Sequence, residues 1–147
     1  MTKEVLVTVS GLRLDGTQEE EIELVTPGKY YNKNGKDYIL YDEYLQDINT
    51  PTKCSIIISH EKVDIIKRGG NNVHMTFEKK KKNSSFYNTP FGNLLMGFYT
   101  KDLKVEKEEE KLNVHIKYNL DINYNHVSES DIIIKVESKK NYKELLE

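Results

Sequence analysis

The chain has 147 residues, a formal net charge of -2 and 31% charged residues. This length suits one domain with its own core, and the near-neutral charge argues against binding nucleic acid or anionic membranes, which requires a strongly basic surface. The single cysteine, Cys54, excludes a disulfide within the chain. Since no stretch is as apolar as a membrane helix or the core of a signal peptide, we expect an untargeted cytoplasmic protein.

The first predicted strands lie in the N-terminal third of the chain. Val5, Val7 and Val9 recur at every second position, which is the period of a half-buried strand. Further along, Asn34-Gly35 is the strongest short signal for a two-residue hairpin turn. Such a turn fixes the pairing of the flanking strands and predicts two faces, one with Tyr31, Tyr38, Leu40 and Tyr44, the other with Tyr30, Ile39, Tyr41 and Glu43.

The tyrosines of this hairpin allow two interpretations. They can be ordinary strand residues, because tyrosine has a high strand propensity and packs well across strands. Alternatively, the tyrosines of one face line a ligand pocket. Glu43 shares the phase of Ile39 and Tyr41, so an inward-pointing face would bury its carboxylate, which would then need a partner. Arg68 is one candidate for that partner; the simpler alternative is two surface charges near turns.

The remaining strands show the same period. Cys54 keeps phase with Ile56 and Ile58, which predicts a buried structural thiol. The segment from Leu112 to Tyr124 alternates apolar and polar residues without an error, as expected of a long half-buried strand. Gly92 and Gly97 interrupt an apolar run, which indicates a bend or a close approach by another group.

These strands predict an all-β fold. About ten of them, joined by short turns, favour an antiparallel up-and-down β-barrel of about eight to ten strands over a sandwich, because closure removes the sheet edges. We expect residues 1–138 to form this single domain. Residues 139–147 are a C-terminal tail in which Asn141 and Glu144 have the spacing of a helix capping box, so we expect a short helix or an irregular tail there.

The charged and metal-binding residue types give no signal for catalysis or cofactors. The run Lys79–Lys82 and the run Glu106–Lys111 are expected at hairpin tips rather than in a nucleic-acid site. The four histidines have no metal-ligand spacing, and the chain has no nucleotide-binding glycine motif. We therefore expect no metal, no cofactor and no catalytic residues.

The sequence resembles the YwiB-like family of small bacterial proteins, on five motifs in the same order. They are TPGKYYNKNGKDYILYDE from Thr26, TK from Thr52, KRGG from Lys67, MTFE from Met75 and YNTPFGNLLM from Tyr87. The resemblance implies a calycin-type, lipocalin-like barrel, a fold that often holds a small apolar or amphipathic ligand. The family positions that match here, as candidates for a shared site, are Tyr31, Lys33, Tyr38, Tyr41, Glu43, Lys53, Arg68, Tyr87, Thr89 and Thr100.

The sequence leaves two functions open. The first is a cytoplasmic barrel that binds a small apolar or amphipathic ligand in an interior cavity partly lined by Tyr41, Glu43 and Arg68. The second is a filled barrel that acts as an interaction module, through an exposed strand or rim, with another protein or as a homodimer. An enzyme ranks third, because no nucleophile–base pair is readable. Neither nucleic acid nor a membrane is expected as a partner.

Overall fold

The computed structural model describes residues 3–11, 23–44, 51–69, 72–89 and 92–139. The described elements are ten strands: β1 (Lys3–Ser10), β2 (Glu23–Lys33), β3 (Lys36–Glu43), β4 (Thr52–Ser59), β5 (Lys62–Arg68), β6 (Val73–Glu78), β7 (Lys82–Thr89), β8 (Gly92–Lys107), β9 (Lys111–Ile122) and β10 (Asn125–Ser138). The predicted C-terminal helix from Asn141 falls outside the described residues. No helix in the described part of the chain is long and apolar enough to cross a membrane.

The strands form one antiparallel sheet in the order β6-β5-β4-β3-β2-β1-β10-β9-β8-β7. Apart from β6 and β7, which do not pair with each other, consecutive strands are paired, and β1 pairs with β10 to join the first and last described strands. The sheet curls into a nearly closed barrel, which confirms the predicted up-and-down fold. Asn34 and Gly35 both have positive φ, and the turn sets Tyr31 opposite Tyr38 as predicted.

The barrel wall has a seam between β6 and β7, which are the two ends of the sheet order. The turn that connects β6 to β7 is hydrogen-bonded to β8. Lys80 N–H donates to the carbonyl oxygen of Thr100 at 2.8 Å, and Thr100 N–H donates to the carbonyl oxygen of Lys81 at 3.1 Å. Inside the barrel, side chains from the two sides of the seam are in contact: Phe77 of β6 packs edge-to-face on Phe98 of β8. The Lys79–Lys82 run thus connects two strands as predicted, but no ladder joins β6 to β7 among the described residues.

The interior of the barrel is filled by the inward face of each strand. Residues such as Val7, Ile39, Ile65 and Ile116 are fully buried, and Phe77 also packs edge-to-face on Tyr118 with ring centroids 5.2 Å apart. The packed centre provides no support for the interior ligand cavity expected from the sequence.

Two local predictions need correction or refinement. Strand β9 ends at Ile122, and Tyr124, expected to end the alternating strand, is an exposed turn residue with φ of 70°. Gly97 faces outward, where a Cβ would lie 2.5 Å from Asp121 Oδ1. This glycine makes room for the ion pair between Lys82 and Asp121, at 2.8 Å.

Candidate functional site: a cleft between two strands and a buried polar cluster

Strands β2 and β3 part above their shared hairpin. Their ladder ends at the pair Lys29 and Leu40, whereas β2 stays paired with β1 as far as Glu23. Pro27 lies just beyond the last β2–β3 pair, and because it has no backbone N–H it favours the end of pairing. At Gly28 the two backbones are close: a Cβ there would lie 2.7 Å from the carbonyl oxygen of Leu40. The wall of the barrel therefore opens immediately above Gly28.

A cavity of about 720 Å³ lies at this opening, and we call it the β2–β3 cleft. Its lining combines outward-facing residues such as Leu6, Leu40 and Ser55 with Tyr41 and Cys54, whose side chains are buried on the inward face. Residues of both faces line the same cavity because β2 and β3 are not paired at this point of the barrel wall. Charged residues also line the cleft, on both sides: Glu4, Lys29, Asp42, Lys53 and Lys139. The volume lies within the range of roughly 300–1,000 Å³ of small-molecule sites.

A cluster of polar side chains lies on the inward face behind the cleft, and we call its five members the polar cluster. The register places Tyr41 opposite Cys54 and Cys54 opposite Lys67; one row further, Glu43 is opposite Thr52. Directly opposed side chains on one face of a sheet have Cβ atoms about 5 Å apart, so the five side chains are contiguous.

An ion pair holds the cluster together. Lys67 Nζ donates to Glu43 Oε2 at 3.0 Å, with side-chain exposures of 8% and 18%. An ion pair withdrawn this far from water costs desolvation that the attraction only partly offsets, so it is poor evidence for stability alone. It does provide a fixed donor and a fixed acceptor beside the apolar core.

Two hydroxyls of the cluster lack a strong hydrogen-bond partner among the described residues. Thr52 Oγ1 is buried and has no hydrogen-bond partner among the described residues, and the buried Tyr41 hydroxyl faces the Cys54 thiol, which is only a weak hydrogen-bonding group. Buried polar atoms nearly always have a partner, so each such atom points to a group that belongs beside it. The Cys54 thiol, in contrast, lies 3.8 Å from the carbonyl oxygen of Thr52.

Burial keeps the phenol and the thiol of the cluster protonated. It raises the pKa of the Tyr41 phenol above its ordinary value, with smaller contributions from Cys54 and Glu43. It also raises the pKa of the Cys54 thiol to about 11, although the nearby Lys67 works in the opposite direction. A thiol with so high a pKa is a poor nucleophile.

A second polar network closes the opposite end of the barrel. Asp37 accepts hydrogen bonds from the Tyr30 hydroxyl, from Asn32 at 3.0 Å and from Lys107 at 2.9 Å. Burial alone would raise the pKa of Asp37, but these hydrogen bonds outweigh it and hold the pKa below its ordinary value. Since β3 and β8 are not neighbours in the sheet, the Asp37–Lys107 pair links two separate parts of the barrel wall at this end.

The structure divides the residues predicted for the site. Tyr41 and Glu43 meet in the polar cluster, whereas Tyr31 and Tyr38 stack on each other on the outer face with ring centroids 4.7 Å apart. Lys53 is exposed and lines the cleft. Elsewhere, Tyr87 packs against the core, Thr100 is buried beside β9, and Thr89 is described by its backbone alone, opposite Gly92.

Arg68, the candidate partner of Glu43, does not pair with it in the structure. Arg68 is exposed on the outer face opposite Lys53, and Lys67 takes the inward position. Lys67, Thr52 and Cys54 were therefore missed as members of a site. In the sequence, Lys67 has the same phase as Val63 and Ile65, which indicates an inward position. Pro27 lies inside a strand, which indicates a break in strand pairing at the cleft. Among the described residues, no group of His, Cys, Asp or Glu could hold a metal ion.

Comparisons with known proteins agree on the type of barrel. Residues 7–134 match the family model of a domain of unknown function, DUF1934. The chain is 30% identical to the uncharacterized β-barrel protein YwiB of Bacillus subtilis (strain 168) over 108 residues, 74% of each sequence. The crystal structure of the YwiB protein from Bacillus subtilis superposes with a TM-score of 0.77 at 25% identity, covering 93% of this chain and 92% of that one. This chain therefore belongs to the DUF1934 family of YwiB-type β-barrel proteins.

Proposed function

We propose that this protein binds a small amphipathic molecule in the β2–β3 cleft, without catalysing a reaction on it. The observation that carries the proposal is the cavity of about 720 Å³, whose lining combines apolar side chains with Tyr41 and Cys54, two members of the polar cluster. An amphipathic ligand matches both parts, since its apolar body covers Leu6 and Leu40 while its polar end reaches Tyr41. The packed interior argues for a ligand in the wall rather than at the barrel centre.

The resemblance to calycin-type barrels supports a binding role, because such barrels often hold apolar or amphipathic ligands. A cytoplasmic location is part of the proposal. It is supported by Cys54, which is a free, buried thiol as expected in a reducing compartment.

Native mass spectrometry of the protein purified from cells tests this function. We expect extra mass in the native spectrum that leaves on denaturation, and its value begins to identify the ligand. The Ser55→Trp variant should lose this mass, because the indole would occupy the cleft that Ser55 lines. The matched control is Asn113→Trp, at a half-buried outward position of β9 away from the cleft. A bound mass that survives Ser55→Trp unchanged would place the ligand elsewhere.

A second candidate function is an interaction module in which a second copy of this chain adds to an exposed strand edge. The filled interior and the β6–β7 seam favour it, because unpaired strand edges accept a further strand. Phe86, on the β7 edge, is 66% exposed. The native spectrum would then show a dimer, and Phe86→Lys should shift it to a monomer. A wild-type monomer at micromolar concentration would contradict this candidate.

A further inference from the structure

We propose that the polar cluster is the head-group subsite of the β2–β3 cleft, and that it selects an uncharged head group carrying both a hydrogen-bond donor and an acceptor, such as a primary amide. This inference rests on the proposed binding function and specifies the ligand class. Three observations carry it: the unused hydrogen-bonding capacity of the cluster, its balanced charge, and its continuity with the cleft.

The cluster has spare donors and acceptors of both kinds. Thr52 offers a hydroxyl that has no partner among the described residues, and the Tyr41 hydroxyl has only the weakly hydrogen-bonding Cys54 thiol beside it. An ammonium group has three N–H donors, and among the described residues Lys67 uses one of them, on Glu43. The Glu43 carboxylate likewise retains acceptor capacity on its second oxygen. A primary amide, with two N–H donors and a carbonyl oxygen, can use both kinds of group at once.

The charge balance of the cluster disfavours charged ligands. Lys67 and Glu43 neutralise each other across 3.0 Å in a site with little access to water. An anionic head group would be attracted to Lys67 but repelled by Glu43, and a cationic one would meet the reverse. Either would leave one uncompensated charge away from water, which is costly. A neutral head group adds no charge and can still form hydrogen bonds with the hydroxyls of Tyr41 and Thr52.

The cleft leads to the cluster. Tyr41 and Cys54 belong to both, since they line the cleft and begin the row that continues to Lys67. Their side chains are buried on the inward face, whereas Leu6 and Leu40 face outward. A ligand with its apolar body between the two leucines therefore has its head directed toward Tyr41 and the ion pair behind it.

Three probes with the same alkyl chain test the selectivity: octanamide, octanoate and octylamine, titrated calorimetrically into the full chain at pH 7. We expect octanamide to bind at least tenfold more tightly than either charged probe. This comparison uses the wild-type protein alone, so it does not depend on any variant folding. Equal affinity for all three probes would overturn the head-group subsite but leave cleft binding intact. Binding of none of them would overturn both proposals.

Two substitutions should change the preference in opposite directions. In Glu43→Gln the ammonium of Lys67 loses its counter-ion, so octanoate should become the tightest probe. In Lys67→Gln the carboxylate of Glu43 is left alone, so octylamine should become the tightest. The matched controls are Glu106→Gln and Lys117→Gln, which make the same charge changes at exposed positions of β8 and β9. Variants that lower all three affinities equally would show a structural role only and would overturn the subsite.

Discussion

At the scale of single residues, the Lys67–Glu43 pair and the Asp37 network place charge at opposite ends of an apolar barrel. Lys67 occupies an inward position in phase with Val63 and Ile65, where an apolar residue would be the ordinary choice. Replacing a buried ion pair with apolar residues is often neutral or stabilising. The presence of the pair at this position is therefore weak evidence that it stabilises the fold.

The free energy of unfolding should show whether the pair stabilises the fold. We expect Lys67→Met to lose about 2–3 kcal/mol, because the partly buried Glu43 carboxylate loses its cation. The double variant Lys67→Met with Glu43→Leu should recover to within about 1 kcal/mol of the wild type, since no charge is left unpaired. Urea unfolding measures both, with Lys117→Met as the exposed control. If the double variant is as unstable as the single one, the ion pair itself stabilises the barrel.

Acid should weaken the fold through Asp37. The folded-state pKa of this carboxyl is lowered, because the hydrogen bonds from Tyr30, Asn32 and Lys107 outweigh its burial. A carboxyl with a lowered pKa contributes stability above its unfolded pKa of about 3.9, and the contribution disappears as the pH falls through the folded pKa. Asp37→Asn should therefore cost about 1–2 kcal/mol at pH 7, with a smaller cost below about pH 3.

Urea unfolding of the wild type and Asp37→Asn between pH 7 and pH 2.5 measures this dependence. The control is Glu106→Gln at an exposed position of β8, which should follow the wild type throughout. A cost of Asp37→Asn that stays constant over the whole range would show that the carboxylate charge is not responsible.

Part of this residue-scale picture could be predicted from the sequence. The phase of Glu43 with Ile39 and Tyr41 indicated an inward carboxylate, and Asn34-Gly35 fixed the register that supports it. The partner of Glu43 could not be predicted in the same way, because which residue of β5 faces inward depends on the register of the β4–β5 hairpin. This hairpin turns at His60-Glu61, with Glu61 at φ of 55°. That dipeptide lacks the Gly or Asn signature of a two-residue turn, and a slip of one residue exchanges Arg68 for Lys67 on the inner face.

At the scale of the strands, two glycines are required for different reasons. A Cβ at Gly28 would lie 2.7 Å from the backbone oxygen of Leu40 and 2.9 Å from Val7 Cγ2, both in tightly packed surroundings. A Cβ at Gly97 would meet Asp121 Oδ1 and, at 2.7 Å, Lys82 Cε, which are the ends of flexible side chains. The sequence marked Gly97 as unusual but could not show which group approaches it, because β9 supplies Asp121 from a distant segment.

Alanine at these glycines should have unequal effects. Gly28→Ala should lose about 2 kcal/mol or more, because backbone atoms of β3 must move, whereas Gly97→Ala should lose less than about 1 kcal/mol as the Lys82–Asp121 pair shifts aside. Urea unfolding compares the two variants under one condition. Gly28→Ala should also alter the cleft and weaken octanamide binding, which Gly97→Ala should leave unchanged. Equal losses of stability would contradict the close approach of β2 and β3.

At the scale of the whole molecule, the barrel closes where the first and last described strands, β1 and β10, are paired, and no ladder closes it between β6 and β7. Alternation predicted the number of strands and the meander, because every strand carries its own inward face. Alternation could not predict the seam, since it depends on backbone hydrogen bonds between the β6–β7 turn and Thr100 of β8. Nor could alternation show that the interior is filled, which depends on how the side chains of opposite walls meet.

Hydrogen exchange should locate this seam. Strands β6 and β7 each have one neighbour in the sheet, whereas β9 is paired on both sides, with β8 and β10. Amides without a ladder partner exchange through small local openings, so peptides covering Val73–Glu78 and Lys82–Thr89 should exchange at least tenfold faster than Lys111–Ile122. Within both edge strands, protection should increase toward the turn, because Lys80 and Lys81 are bonded to Thr100. Protection of β6 and β7 equal to that of β9 would mean that a strand, from this chain or a second copy, closes the barrel in solution.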